Sequence, residues 1–107
     1  MNAVKKLVAE LDPLLHERGR LAIVSVLAAV KGLTFTELRD TLEMTDGNLS
    51  VHLQKLEERG YLAIDKSFVG RRPQTSVRLT KAGQQAFAGY LEHLEAIIQE
   101  SRGPKAS

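Results

Sequence analysis

The sequence predicts a mainly α-helical domain with one small β-hairpin. Three observations predict it. Apolar residues recur at helical spacing in five segments, two short β-forming runs lie between residues 61 and 79, and turn or capping residues separate the segments. A length of 107 residues is that of one domain, so residues 1–107 are expected to fold as a single unit. The 43% hydrophobic content supports a small core and argues against disorder.

Val4, Leu7, Val8 and Leu11 predict an N-terminal helix over residues 1–12. Asp12-Pro13 then starts a new turn, because Asp caps and Pro is tolerated at a first helical position. Residues 13–79 form the expected core. Its first helix runs from Gly19 to Val30 and is stopped by Gly32. The near-apolar run Leu21 to Val30 is interrupted by Ser25 and is shorter than the roughly twenty residues a membrane span requires.

Thr34 and Glu37 have capping-box spacing and open a helix that ends near Glu43. Met44 and Thr45 make a turn, and Thr45 caps a second helix running to about Arg59, with Leu49, Leu53 and Leu56 as its buried stripe. Residues 35–59 thus read as a helix-turn-helix. Gly60 ends the second helix. Tyr61–Ile64 and Ser76–Leu79 read as strands joined across the turn-rich loop Val69–Gln74, which makes residues 61–79 a hairpin. Thr80 caps a long helix, residues 80–101, in which Phe87, Leu91, Leu94 and Ile98 form a heptad-like seam. A frayed tail, 102–107, follows.

Charge narrows the function. The formal net charge is only +2, but Arg59, Lys66, Arg71, Arg72, Arg78 and Lys81 face Asp65 alone in one segment. Basic charge concentrated beside a helix-turn-helix is the electrostatic footprint of a nucleic-acid reader. With Leu49, Leu53 and Leu56 inward, Gly47, Val51 and Gln54 point outward and Asn48, Ser50 and Lys55 flank them. Gly47 lets backbone approach a groove floor. Asn48 matches adenine, Ser50 a base or phosphate, Val51 a thymine methyl, and Lys55 a phosphate. Asp46, behind the Thr45 cap, either accepts from cytosine or steadies the helix start. His52 lies at the border of the leucine stripe: neutral, it is a satisfied boundary residue; protonated near phosphate, it would add a contact.

Other chemistry is disfavoured. There is no cysteine, which excludes disulfides and thiolate metal sites and fits a reducing cytoplasm. His16, His52 and His93 show no ligand spacing and no nucleophile constellation, so neither a metal, a cofactor nor an enzymatic activity is expected. Met1–Lys6 leads into no secretion-type apolar run, and no membrane partner is expected.

These motifs together are identifiable. Asp46-Gly47-Asn48-Leu49-Ser50-Val51-His52-Leu53, then Leu56-Glu57-Glu58-Arg59-Gly60-Tyr61, Gly70-Arg71-Arg72-Pro73 and Leu79-Thr80-Lys81-Ala82-Gly83 resemble the winged helix-turn-helix transcriptional regulators of the MarR and ArsR kind. The likeness covers about Leu11 to Phe87. It implies a cytoplasmic prokaryotic regulator, by default a repressor, that binds a palindromic double-stranded DNA operator as a homodimer. The second helix of the motif would enter the major groove, and a wing carrying Lys66, Arg71 and Arg72 would touch the neighbouring backbone or minor groove. The family pattern also favours the DNA-contact reading of His52.

The apolar stripes of the terminal helices, Val4, Leu7 and Leu11 with Phe87, Tyr90, Leu91, Leu94 and Ile98, are the expected dimer interface. The three-helix motif and hairpin are too small to cover both stripes. The dimer cleft near Tyr90, Leu94 and Leu7 is a candidate seat for a small-molecule effector. The alternative reading is a winged-helix docking or dimerisation module without specific DNA readout.

Overall fold

The structure, a computed structural model, describes residues 2–103. Helix α1 spans Asn2–Ala9, α2 Arg18–Ala29, α3 Phe35–Leu42, α4 Asp46–Glu58 and α5 Lys81–Ser101. Strands β1 (Leu33–Thr34), β2 (Leu62–Val69) and β3 (Arg72–Leu79) form one antiparallel sheet in the order β1-β3-β2. The chain is a winged helix. Among the described residues, no helix is long and apolar enough to cross a membrane.

Local chemistry explains the boundaries. Thr34 accepts from Glu37 N–H at 3.1 Å while the Glu37 carboxylate accepts from Thr34 N–H at 2.9 Å, so the capping box is complete. The Thr34 N–H bond holds the Glu37 carboxyl below its ordinary value. Thr45 and Thr80 cap α4 and α5 in the same way. Helix α3 closes on Glu43 in the left-handed region, φ 52°, and that reversal aims α4 across α3. Helix α1 stops at Ala9, short of the expected Asp12, because Asp12 is used by the following turn: its carboxylate accepts from Leu14 N–H. Of the tail, residues 104–107 lie outside the described residues, and Arg102 caps α5.

Two features of the sheet differ from expectation. Strand β1 is new, two residues held by pairing Leu33 with Val77 and Thr34 with Ser76. The hairpin strands are eight residues each rather than four. The segment Val69–Gln74 is not an open loop: Val69 pairs with Arg72, leaving only Gly70-Arg71 at the turn. Gly70 has φ +64°, the first-position glycine of a type II′ hairpin turn. Pro73 is tolerated inside β3 because β1 ends at the Ser76 register, so no strand there needs its missing N–H.

One core joins these elements. Leu15, Ile23, Val24, Leu27, Leu38, Leu49, Leu53, Leu56, Leu62, Val77 and Leu79 are buried together. Gly83 lets α5 start against the sheet, since an added Cβ there would collide with the Tyr61 carbonyl. Polar ties fix the inter-helix segment: the Tyr61 hydroxyl donates to Asp12 at 2.7 Å, and His16 Nδ1 and the Tyr90 hydroxyl are 2.8 Å apart.

Leu11 and Tyr90, expected at a dimer interface, are instead buried in this core. The reason is geometric: α5 turns the Gly83–Tyr90 face onto the body, and the Tyr90 ring is held there by His16. The groove beside Leu7 is lined by Ala3, Lys6, Glu10, Ala96, Gln99 and Glu100.

Beyond the core the molecule is long. Its extents are 64 × 25 × 23 Å and its radius of gyration 16.7 Å, against about 13 Å for a compact domain of 100 residues. Both the outer hairpin and the far half of α5 extend beyond the core, the latter with α1 packed on it, where His93 Nε2 meets the Leu7 carbonyl.

Candidate nucleic-acid interface

Helix α4 buries Leu49, Leu53 and Leu56, which leaves Thr45, Asp46, Gly47, Asn48, Ser50, Val51, Gln54 and Lys55 exposed. The hairpin continues this surface. Ser50, Gln54 and Glu57 of α4 share one groove with Ile64, Lys66 and Thr75 of the hairpin and with Phe35. Lys66, Arg71 and Arg72 are all exposed along the outer hairpin. Of the sequence-predicted reading and wing residues, the groove brings together Ser50 and Lys66; Arg72 lines a separate hollow with Thr34, Phe35 and Val69.

The helix start is thin by design of sequence. An added Cβ at Gly47 would meet nothing within 4 Å, so the fold does not require glycine there. Glycine in a helix costs up to about 1 kcal/mol against alanine. A residue that weakens its helix and frees no internal space acts toward the outside. Gly47→Ala is expected to raise the melting temperature slightly while weakening duplex binding several-fold. Paired thermal melts and DNA titrations check this, and a drop in stability would mark Gly47 as structural.

Asp46 has a partner that the sequence did not reveal. Arg39 of α3 donates to the Asp46 carboxylate at 2.9 Å and to Asp40 at 3.0 Å. Both carboxylates, Asp46 first, push the guanidinium pKa further up. The pair bridges the turn of the helix-turn-helix. It also offsets part of the negative charge of Asp46 at the helix start. Asp46 stays largely exposed, so the bridge braces the helix start rather than filling a core.

His52 is placed less openly than its neighbours. Its ring faces the start of α2, with Nδ1 3.3 Å from an Arg20 nitrogen and 3.8 Å from Glu17 Oε1. Gly19 makes room, because a Cβ there would clash with the ring. Glu17 is itself the N-cap of α2, accepting from Arg20 N–H at 2.8 Å, and that bond holds its carboxyl below the ordinary 4.5. This depressed value stabilises the fold above pH 4.5 and the stabilisation is lost as pH falls through the folded value. His52 thus ties the back of α4 to α2. No local spacing rule links positions 17, 20 and 52, so the sequence alone showed only its place at the edge of the stripe.

Helix-turn-helix and cationic hairpin define a winged-helix DNA-binding protein. The chain belongs to the winged helix DNA-binding domain family, whose pattern matches residues 20–98. It is 41% identical over 71 residues to the uncharacterized protein MJ0432 of Methanocaldococcus jannaschii, a match covering 64% of this chain and 77% of that one. It is similar to a transcriptional regulator homologue from Pyrococcus horikoshii, with 28% identity, a TM-score of 0.81, and 94% and 97% of the two chains covered. A MarR-family transcriptional regulator from Silicibacter pomeroyi shares the fold at a TM-score of 0.65 and 21% identity, over 98% of this chain and 70% of that one. So does CouR, a transcriptional repressor solved on a 23-mer DNA duplex, at 0.71 and 23%, over 94% and 68%.

Proposed function

We propose that this DNA-binding regulator is a repressor that acts as a homodimer on a palindromic operator. Each protomer sets the α4 tip into the major groove, with Asn48, Ser50 and Val51 toward base edges and Thr45, Gly47 and Lys55 against the backbone. The hairpin lays Lys66, Arg71 and Arg72 along the flanking phosphates or minor groove. The carrying observation is the shared groove: exposed α4 residues Ser50 and Gln54 stand directly across from Lys66 and Thr75 of the hairpin.

The homodimer reading is supported by the projecting arm. Val8, Leu91 and Ile98 are exposed large apolar residues, and all three lie on α1 and α5. Val4, Leu7, Phe87 and Leu94 are half-buried beside them. A slender arm with outward apolar residues matches an isologous contact, in which the same stripe serves both copies. Repression is the mode the resemblance implies, and a dimer fixed across two half-sites would occlude the duplex between them.

Selection from a random duplex pool tests the reading. An inverted repeat is expected, its halves about one helical turn or a multiple of it apart. Asn48→Ala and Ser50→Ala are each expected to relax preference at particular base pairs, costing about 1–3 kcal/mol there. Failure to enrich any motif, or unchanged preference in both variants, contradicts it.

A further inference from the structure

The wing tip carries two residues that phosphate neutralisation does not use. Phe68 is 73% exposed and Val69 60%, the most exposed large apolar side chains among the described residues. They end β2, immediately before the Gly70-Arg71 turn, where Phe68 pairs with Pro73 and Val69 with Arg72. Neither supports the core, whose sheet contribution ends at Leu62, Val77 and Leu79 with Ile64 packed beside them.

Register gives Phe68 a direction. Lys66 and Thr75 form a cross-strand pair and line the groove beside α4. Strand residues two apart share a face, so Phe68 and Pro73 continue that face roughly 7 Å farther from the body. An exposed apolar hairpin end is a liability that proteins ordinarily blunt. Here it is retained beside cations: Lys66 shares the Phe68 face, Arg71 stands in the turn and Arg72 pairs with Val69, while the acid of the hairpin, Asp65, sits nearer the base within 3.7 Å of Arg78. Apolar side chains bordered by arginines fit a polyanion with apolar interior surface. Duplex DNA is such a partner, because its base steps open to wedges from the minor groove.

We propose that Phe68, paired with Pro73 on the same face, is an apolar wedge that enters a minor-groove base step while Arg71 and Arg72 hold the adjoining phosphates. The wing then reads how easily the flanking sequence unstacks, and specificity extends beyond the bases that α4 touches. This rests on the duplex-binding reading above and deepens it.

The test runs the random-pool selection in parallel with the parent chain, Phe68→Ser and Phe68→Leu. At 73% exposure, Phe68 tolerates each change without a folding penalty that matters. The parent is expected to enrich half-site letters and, at a fixed distance outside them, flexible pyrimidine–purine steps. Phe68→Ser is expected to keep the half-site letters, lose the flanking preference and bind the parent's enriched duplex about tenfold more weakly. Phe68→Leu is expected to keep both. With 2-aminopurine at the flanking step, fluorescence should rise on adding the parent and stay flat with Phe68→Ser. Identical flanks and fluorescence for parent and Phe68→Ser overturn the wedge while leaving duplex binding intact. Loss by Phe68→Ser of retention on phosphatidylglycerol vesicles, with DNA selection unaltered, overturns it in favour of a membrane surface. A parent that enriches nothing overturns both the wedge and the reading beneath it.

Discussion

Leu91→Glu combined with Ile98→Glu is expected to yield a folded monomer that binds its operator about 10²–10⁴-fold more weakly than the parent. Both residues lie on the outer side of α5 and are 45% and 47% exposed in the single chain, so the domain's own core does not depend on them. In a pair of copies they would be covered, each contributing roughly 1 kcal/mol as its remaining exposed half is buried. Two glutamates would replace that gain with desolvated like charges next to Glu92 and Glu95. Affinity falls because a dimer binds its second half-site intramolecularly, an advantage that vanishes with dissociation. Sedimentation at micromolar concentration, circular dichroism and operator titration measure the three parts separately. A variant that stays dimeric places the interface elsewhere.

Arg71→Ala with Arg72→Ala is expected to weaken binding to every duplex, on the order of a hundredfold at physiological salt, with half-site preference unchanged. Both guanidinium groups are exposed at the hairpin end. Each phosphate neutralised adds about 0.9 to the slope of log affinity against log salt. The slope should therefore flatten by about two units for each protomer bound. Titrations across a salt series read it directly. Loss of sequence preference at constant slope would mean that the arginines read bases rather than phosphates.

The parts of the fold that were legible in the sequence are those fixed by local chemistry. Thr34 with Glu37, Thr45 and Thr80 mark helix starts through bonds that span three residues, and each is made. The stripe Leu49, Leu53 and Leu56 predicted the inward face of α4 because helical period alone decides it. Strand β1 was not legible, since two residues become a strand only by meeting β3 more than forty positions later. The hairpin length was hidden by Pro73 and the paired arginines, which read as loop unless one knows that β3 has a free edge there.

The candidate site divides the same way. The outward set on α4 follows from its stripe, and the cationic hairpin follows from charge order along the chain. The Arg39–Asp46 bridge and the seat of His52 beside Arg20 and Glu17 depend on how helices cross, which no spacing within one helix encodes. The terminal stripes were visible as apolar, but not how they divide. Tyr90 and Leu11 turn to the chain's own core, while Leu91, Ile98 and Val8 stay exposed.

The most direct test of the account is the hydroxyl-radical footprint and mass of the complex formed on the selected duplex. Two chains per duplex are predicted, protecting two patches on one face of the DNA about one helical turn, roughly 34–36 Å, or a multiple of it apart. A single chain on a single patch, or no protection at low salt, would contradict it.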